Sequence, residues 1–500
     1  MKRTWPWLVL AAVSIWLAID LISRLRAIST FTTDDAYITM RYGDHLASGY
    51  GIVWNPGESP AVEGYSNFLY VLISAATLAV GGDPTVVFDV LGIAAVFASC
   101  ALAWWIARAW TGPLAAIAPA IVLTSYIGTV LWASSGLETS VYQCLALAAV
   151  ALFVHSYRPP PDRTLSLRRL VASGSISFLV AITRPEGPLV GIAIGIVLAG
   201  SLVVRREIAL RERVRLLIAF AAPFVVPYVI YFVWRLVHFE ALLPNSVACK
   251  SLFAQGSRLV IEGFHTLALP YLVIALLRRP REVDARTMVL FLVPLGYSII
   301  LRDVDPIISY YNRHALAAWA FLVIAAVVAL ARLSSLVPRI PPLIGELAIV
   351  ALTIGWTASM RAEQRASLEQ FAASYEVRAR DRLAVGGWLW ANLGANESYV
   401  VGDCGLIPYV AHGNAIDVYC LNNRAMTHGV DTPREIADYV YGAAPAVLVV
   451  HSYAGARLKP QMDYGVFPTL VADPRFADYA FVTHFGTPGS AAHYWIYRRR

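Results

Sequence analysis

Two adjacent acids, Asp34 and Asp35, open a polar stretch that follows the first apolar segment of the chain. A carboxylate in a partly desolvated cleft near a membrane surface has a raised pKa and can remove a proton from a hydroxyl group, so this pair is a candidate general base. Neighbouring side chains on an extended backbone point in opposite directions, and we expect one acid to face a cleft and the other a structural partner. The sequence leaves open which is which. The alternative is that one of them caps the helix predicted from AYITMRYGDHLA.

The rest of this stretch, residues 31–67, interleaves further acids with aromatic side chains. Polar groups near a bilayer require partners or a wet cleft, and the aromatics favour a loop folded against the membrane over an ordinary solvated loop. NPGE at 55–58 and VEGYSN at 62–67 are turn-rich and suited to presenting polar groups. The candidate substrate-binding residues of the stretch are Tyr37, Arg41, Asn55, Glu58, Glu63 and Asn67.

Other polar side chains lie at the ends of later apolar runs, where ionisable groups are functional by default. The alternative for Arg184 and Glu186 is a mutual ion pair, and for any lysine or arginine it is snorkelling from a helix end. A lipid phosphate at the outer leaflet needs lysine or arginine ligands. The candidates for binding a donor or an acceptor are Glu138, Arg184, Glu186, Asn245, Lys250, Arg313 and His314.

The composition places these residues in a membrane protein. Hydrophobic residues make up 58% of the 500-residue chain, and the mean hydropathy is +0.59. Both values exclude an ordinary soluble domain. The net charge of +7 is concentrated in short arginine-rich loops, a topological pattern that argues against nucleic acid as a partner. The first run, Trp5–Ile22, is followed by charged residues instead of a cleavage site, so we predict a retained first span.

The second apolar run, Asn67–Val80, decides the predicted topology. If it crosses the membrane, thirteen arginines of later loops fall outside, against the positive-inside rule. Its 14 residues are also too few to cross comfortably. We therefore predict a juxtamembrane helix on the outer surface, within a first extracytoplasmic loop over residues 31–85. The chain then has about eleven spans, with the N-terminus inside and the C-terminus outside.

After residue 360 the composition becomes that of a soluble domain. Apolar residues at helical spacing predict a helix leaving the bilayer over residues 361–393. Five β-like runs follow, at 398–403, 415–419, 445–452, 479–485 and 493–498, with a helix near 432–441 that Thr432 caps. The predicted fold is thus a polytopic α-helical membrane module over residues 1–360, followed by an extracytoplasmic α/β domain over residues 361–500.

The five cysteines show no Cys/His spacing typical of a metal site, so we expect no metal centre, while a divalent cation bound with the substrate stays open. Cys404 and Cys420 each follow a predicted strand. In an oxidising compartment they form a disulfide, or else they are two buried thiols.

The sequence contains no Walker motif, GxSxG or HExxH, and no GxGxxG within a βαβ unit. A reaction on the outer side of the membrane has no nucleotide sugar available. An activated sugar donor there should be linked to a lipid.

The motifs themselves resemble those of GT-C fold glycosyltransferases. The resemblance rests on DDAYITMRY, GIVWNPGE and VEGYSNF in the opening stretch, and on SSGLETS, TRPEGP, LLPNSVACK and YYNRHALAAW further along. It covers most of the chain and is nearest to the group around the mycobacterial terminal arabinofuranosyltransferases.

This resemblance implies an inverting transfer of a sugar, with arabinofuranose as one candidate. The donor is a polyprenyl-phosphate sugar, and the acceptor is an envelope glycan, lipid or protein outside the bacterial cytoplasmic membrane. Asp34 or Asp35 is then the general base, the cations hold the departing phosphate, and no cofactor is required. The alternative is a non-enzymatic lipid or glycan transporter, or an envelope-assembly or motility-linked protein that uses the same loop for binding. The charges cluster at the predicted outer ends and no internal repeat is visible, which favours the enzyme.

The predicted topology can be tested by cysteine labelling. A single cysteine introduced at residues 82–84 should react with a membrane-impermeant maleimide in intact cells, because the turn after the juxtamembrane helix lies outside. Labelling only after permeabilisation would contradict the eleven-span arrangement.

Overall fold

The computed structural model describes residues 5–28, 31–157, 164–251, 285–300, 310–334, 341–394, 396–411, 413–430, 432–452, 466–488, 490 and 492–500. They form two compact units. The helical unit comprises the described residues within Met1–Ser29, Phe88–Val233 and Ala254–Glu369. The mixed unit comprises those within Thr30–Val87, Trp234–Phe253 and Gln370–Arg500.

The described helices and strands are numbered separately in chain order. The helices are α1 (Trp5–Arg26), α2 (Asp34–Ala47), α3 (Phe68–Ala79), α4 (Pro84–Ala107), α5 (Ala118–Ser125), α6 (Ile127–Ala133), α7 (Thr139–Val154), α8 (Leu167–Thr183), α9 (Pro188–Val204), α10 (Leu210–Phe239), α11 (Asn245–Ser251), α12 (Ala285–Ile300), α13 (Leu316–Ser334), α14 (Pro342–Asn392), α15 (Leu406–Ala411), α16 (Arg424–His428), α17 (Pro433–Gly442) and α18 (Val466–Ala472). The strands are β1 (Ser398–Val401), β2 (Asn414–Asp417), β3 (Val447–Ser452), β4 (Tyr479–Phe485) and β5 (His493–Arg499).

Several helices have the length and composition of membrane spans. Among the described residues, four are long and apolar enough to cross, and a bent pair brings the number to five if it counts as one span. Five further apolar helices have 10–17 residues. The predicted polytopic helical membrane protein is confirmed in this form. The count of eleven spans and their orientation stay predictions, and the predicted run Phe264–Leu277 lies outside the described residues.

One predicted span, Pro113–Leu131, is not a continuous helix. It is divided into α5 and α6, whose axes differ by 69°. Tyr126, between them, has an extended backbone conformation (φ −84°, ψ 127°), which ends the helical hydrogen-bond ladder. The Tyr126 hydroxyl accepts a hydrogen bond of 2.7 Å from the side chain of Asn312, 186 residues away. The pattern of apolar residues along the chain does not predict this contact.

The mixed unit is built on a five-stranded sheet in the order β2-β1-β3-β5-β4. The first three strands are parallel, and β5 is antiparallel to both β3 and β4. All five predicted strands are present. The predicted helix is α17, with Thr432 and Glu435 forming the expected capping box. A helix follows β1 and another follows β3. The strands β2 and β3 lie on opposite sides of β1, so the chain connections diverge at the end of β1, which is therefore a topological switch point.

The loop of residues 48–67 is folded onto this sheet. Asn55 pairs with the main chain of Ala415 in the edge strand β2, accepting from its N–H at 2.9 Å and donating to its carbonyl at 3.1 Å. The Trp54 indole N–H donates to the same carbonyl at 3.1 Å. These side chains thus form hydrogen bonds with the main chain of an edge strand, which would otherwise be free to pair with another chain.

The predicted juxtamembrane run forms α3, which has 12 residues and packs against α2 in the mixed unit. A Cβ at Gly43 would lie 2.4 Å from the Ser74 hydroxyl oxygen, so the two helices approach closely at that glycine. Whether α3 lies on the membrane surface stays a prediction.

The predicted disulfide between Cys404 and Cys420 is wrong. Cys420 is bonded to Cys249 in α11, 171 residues away, and Cys404 is a buried thiol. Asn245, at the start of α11, donates to the main-chain carbonyls of Cys420 at 2.7 Å and Leu421 at 3.0 Å. The bridge and these hydrogen bonds fix the segment after α10 to the turn after β2.

We expect non-reducing peptide mapping of the purified protein to recover Cys249 and Cys420 in one linked peptide. Serine at either position should lower the thermal stability, by about 2–5 kcal/mol, because the bridge closes a long loop in the unfolded chain. Cys404→Ser is the matched control and should leave the linked peptide intact. A linked Cys404 peptide would contradict the pairing.

Candidate active site

The side chain of Asp34 lies beyond the end of strand β1, at the start of α15. Its Oδ2 accepts from the Gly405 N–H at 3.0 Å, and its Oδ1 accepts from the Leu406 N–H at 2.9 Å, at the start of α15. A Cβ at Gly405 would lie 2.0 Å from the Asp34 carbonyl oxygen, so a larger residue does not fit there. Asp34 therefore does not cap its own helix, where Thr33 is the N-cap residue without a side-chain bond. It occupies the position at which α/β sheets commonly bind anions.

A buried arginine joins Asp34 to a second acid. Arg382 Nε lies 2.9 Å from Asp403 Oδ2 and 3.5 Å from Asp34 Oδ1. Asp403 also accepts a hydrogen bond from the Tyr494 hydroxyl, and His451 Nδ1 lies 3.9 Å from its other oxygen. One guanidinium thus serves two carboxylates in a site nearly closed to solvent.

The two carboxylates differ in proton affinity because their partners differ. Burial raises the pKa of Asp34, and the charge of Asp403 adds to the shift, while Arg382 and the Leu406 N–H oppose it. Burial also acts to raise the pKa of Asp403, but Arg382 and His451 outweigh it and hold that pKa below the usual range. Asp403 is the ionised partner of Arg382, and Asp34 is the acid with the raised pKa.

Asp35 and Tyr37 lie beside this cluster on α2. Asp35 is half-buried in the first turn of the helix. The ring of Tyr37 packs against Tyr409 of α15 with the centroids 5.6 Å apart. The main-chain contacts with α15 belong to Asp34, and which of the two adjacent acids faces a cleft stays a prediction.

The other predicted binding residues of the loop have partners within the mixed unit. Arg41 is buried over the Trp54 ring and donates to the main-chain carbonyls of Trp54 at 3.0 Å and Gly413 at 2.7 Å, and also to that of Pro408. The Glu58 carboxylate accepts from two main-chain N–H groups at 2.9 and 3.1 Å, closing the NPGE turn.

Asn67 is also engaged, since it accepts from the Thr39 hydroxyl at 2.8 Å. With the Asn55 contacts to β2, these bonds account for the folded shape of the loop. A role of Arg41, Asn55, Glu58 or Asn67 in binding a donor or acceptor stays a prediction.

Glu63 forms a buried ion pair with Arg235 near the end of α10, at 2.6 Å. Burial raises the pKa of Glu63 to about 7, against the hydrogen bond and the charge of Arg235. The next residue, Gly64, has no room for a side chain, because its Cβ would lie 1.7 Å from the Asn422 side-chain oxygen. The Asn245 N–H donates to the Glu63 carbonyl at 2.9 Å. Lys250 lies half-buried near the end of α11.

The remaining predicted residues form a cluster in the helical unit. Arg184 contacts the carboxylates of Glu186 and Glu138, each at 2.5 Å, and Arg313 lies 3.5 Å from the same Glu138 oxygen. The alternative of a mutual ion pair between Arg184 and Glu186 is therefore correct, within a larger network. His314 follows Arg313 in the short 3-10 helix Tyr310–Ala315.

The sequence analysis did not predict three residues of these clusters, namely Arg235, Arg382 and Asp403. Arg235 had a signal, since it is a lone arginine within an apolar run. Asp403 had a weaker signal, because it is the last residue of the strand predicted over 398–403. Arg382 had no signal in the sequence, because it lies on a helix that carries several other arginines. Within the part of the chain that the structure describes, no group of three or more His, Cys, Asp or Glu side chains is arranged to hold a metal ion.

Comparisons with known proteins extend these observations. A family model described as a domain of unknown function, DUF8728, matches residues 369–497, which is the polypeptide of the sheet. No curated protein sequence matches the chain significantly.

Solved structures match the chain over nearly its full length. ArnT from Cupriavidus metallidurans bound to undecaprenyl phosphate is 12% identical, with a TM-score of 0.57 over 99% of this chain and 98% of that one. The Archaeoglobus fulgidus oligosaccharyltransferase tethered to an acceptor peptide is 11% identical, with a TM-score of 0.59 over 90% and 69%. The archaeal oligosaccharyltransferase AglB from the same organism, in complex with an inhibitory peptide and a dolichol-phosphate, is 10% identical, with a TM-score of 0.57 over 96% and 74%.

The chain has a GT-C fold. The predicted GT-C resemblance is thereby confirmed at the level of the fold. The nearer likeness to arabinofuranosyltransferases stays a prediction.

The Glu63–Arg235 pair gives a test of the structure around the loop. Removing either charge leaves the other buried and uncompensated, so Arg235→Met and Glu63→Leu should each destabilise the protein by about 3–5 kcal/mol. The double variant should lose much less than the sum, because no unpaired charge remains. Thermal unfolding of the four proteins in one detergent measures this cycle. Additive losses would show that the two side chains do not interact.

Proposed function

We propose that the protein is a membrane glycosyltransferase that moves a sugar from a polyprenyl-phosphate donor to an acceptor hydroxyl. The observation that carries the proposal is the Asp34 carboxylate. It is held by two main-chain N–H groups and by Arg382, its pKa is raised by burial, and its side chain retains 15% of its exposure. An oriented carboxylate with a raised pKa and a partly exposed side chain is suited to accept a proton from a hydroxyl.

In the proposed step the acceptor hydroxyl oxygen attacks the anomeric carbon of the donor. The bond from that carbon to the phosphate oxygen breaks, and the polyprenyl phosphate leaves with the electron pair. Asp34 takes the hydroxyl proton, while Arg382 and the two N–H groups fix the orientation of its carboxylate. A single displacement of this kind inverts the anomeric configuration. The solved ArnT structure contains undecaprenyl phosphate, which supports a lipid-linked donor for the same fold.

The donor and acceptor are defined more narrowly by the resemblance of the motifs. Arabinofuranose or another pentose is the first donor sugar to test, and the acceptor in our proposal is an envelope glycan, lipid or protein on the outer side of the bacterial cytoplasmic membrane. Lys250, Arg313 and His314 remain predicted ligands of donor or acceptor. The reaction as proposed needs no metal, and turnover unchanged by EDTA is the expected result.

Glycan analysis tests the proposed activity in cells. Envelope material from a deletion strain should lack a sugar that the wild-type gene restores and that Asp34→Asn does not. In vitro, purified protein should transfer radiolabelled sugar from a panel of polyprenyl-phosphate pentoses and hexoses to the envelope fraction of the deletion strain. No transfer from any donor, with an unchanged envelope, would contradict the proposal.

The role of Asp34 is tested against its neighbour. Asp34→Asn should lower turnover by about 10²–10⁴-fold, the usual contribution of a general base, while Asp35→Asn should have a much smaller effect. The acidic limb of the rate against pH should lie above the ordinary aspartate pKa of about 3.9, since burial raises the pKa of Asp34. Thermal unfolding controls for folding. A larger loss in Asp35→Asn would move the base to Asp35, and wild-type rates in both would direct the search to Glu63 and Glu138.

A further inference from the structure

An open hollow lies on the surface of the mixed unit, beyond the end of the contact between α2 and α15. It has a volume of about 510 Å³ and is lined by Asp44, Gly387, Trp390, Tyr409 and Val410. This volume is within the range of small-molecule sites, about 300–1,000 Å³. None of the partners described for the Asp34 cluster lines it.

The hollow lies on the same face of α2 as Asp34, beyond the part of that face that α15 covers. Asp34, Tyr37, Arg41 and Asp44 are spaced by three, four and three residues, so they share that face. The first three contact the segment of α15, and Asp44 follows them at the hollow. Ten residues of helix separate Asp34 from Asp44, which is about 15 Å along the axis.

The lining has the chemistry of a carbohydrate site. Trp390 is 61% exposed, the most exposed tryptophan among the described residues of the mixed unit. A large exposed aromatic ring offers a flat surface for the C–H-rich face of a sugar ring. The Asp44 carboxylate can accept hydrogen bonds from sugar hydroxyls. Burial and the nearby Asp44 raise the pKa of Tyr409 to about 12, so its hydroxyl keeps its proton and can donate.

The same lining disfavours other ligands. Among the described residues, the only charged side chain that lines the hollow is an acid, so phosphate and other anions are repelled. A wholly apolar ligand offers no hydrogen bond to the Asp44 carboxylate and would add to the cost of burying it. A neutral ligand with an apolar face and several hydroxyls satisfies both the ring and the carboxylate.

Gly387 keeps the hollow open. A Cβ built at this position meets no atom within 4 Å, although the residue lies inside the helix α14, where glycine is unfavourable. Leu383 and Gly387 lie one turn apart on the exposed face that carries Trp390.

We propose that the hollow is a subsite for a neutral sugar unit of the acceptor, about 15 Å along α2 from Asp34. This inference rests on the proposed glycosyltransferase activity for its place in the reaction, but the binding of a saccharide does not depend on that activity.

Binding is measured first, without any donor. The full-length protein in detergent is titrated with short neutral oligosaccharides, namely arabinan, mannan and glucan fragments, by saturation-transfer NMR and calorimetry. At least one should bind, and Trp390→Ala and Gly387→Leu should weaken that binding by about tenfold or more, the first by removing the ring and the second by filling the space. Trp390→Phe should restore part of the affinity.

Two control variants separate the hollow from its surroundings. Leu383→Ala removes an exposed apolar side chain one turn away on the same helix, and Gly442→Leu adds one at another glycine with open space around it. Neither should change saccharide binding. Thermal unfolding should show that all five variants are folded.

The outcomes distinguish the subsite from the reaction. Once a donor is found, Trp390→Ala and Gly387→Leu should raise the KM for the glycan acceptor by about the same factor as the dissociation constant. If these variants weaken saccharide binding but no donor supports transfer, the subsite is supported and the proposed function is contradicted. Transfer with an acceptor KM and affinity unchanged in both variants would overturn the subsite. Salt-sensitive binding of cationic peptides, with no binding of neutral saccharides, would overturn it in favour of a peptide site.

Discussion

The sharing of Arg382 between Asp34 and Asp403 is the constraint on which the mixed unit depends. Two buried carboxylates share one guanidinium, with His451 3.9 Å from Asp403, and burying two neighbouring acids is costly. The cost is reduced at Asp34 by the N–H groups of Gly405 and Leu406 and by a raised pKa. An acid held in this way joins the opening loop to the end of strand β1, so the C-terminal sheet forms the support on which the loop is folded.

The same requirement, that buried polar groups be satisfied, explains most of the loop. Arg41, Asn55 and Glu58 look like ligands for a substrate, but their donors and acceptors meet main-chain groups that would otherwise be unsatisfied. The loop is therefore a folded part of the mixed unit. A rigid support of this kind suits the catalytic role that we propose for Asp34, because the orientation of its carboxylate must be fixed before the substrate binds.

The GT-C fold is retained here with only 10–12% identity to the solved structures. Apolar spans tolerate many substitutions as long as their hydrophobicity and length are kept, so little of the helical sequence is specified. Function is carried by sites placed on such a fold, and two sites on one fold can diverge independently. In our proposal the exposed Trp390 and the unobstructed Gly387 are such local features, placed on the exposed face of α14.

The sequence by itself determined the features that depend on local pattern. The apolar runs, the five strands, the helix capped by Thr432 and the acid-rich loop were predictable because periodicity, turn residues and caps act over a few residues. The tertiary structure alone decided which side chains meet. It replaced Cys404 by Cys249 as the partner of Cys420, broke a predicted span at Tyr126 and directed Asp34 to Gly405, 371 residues away. The physical reason is that such contacts depend on how distant segments pack, and a pattern read along the chain carries no information about the segment on the other side of a contact.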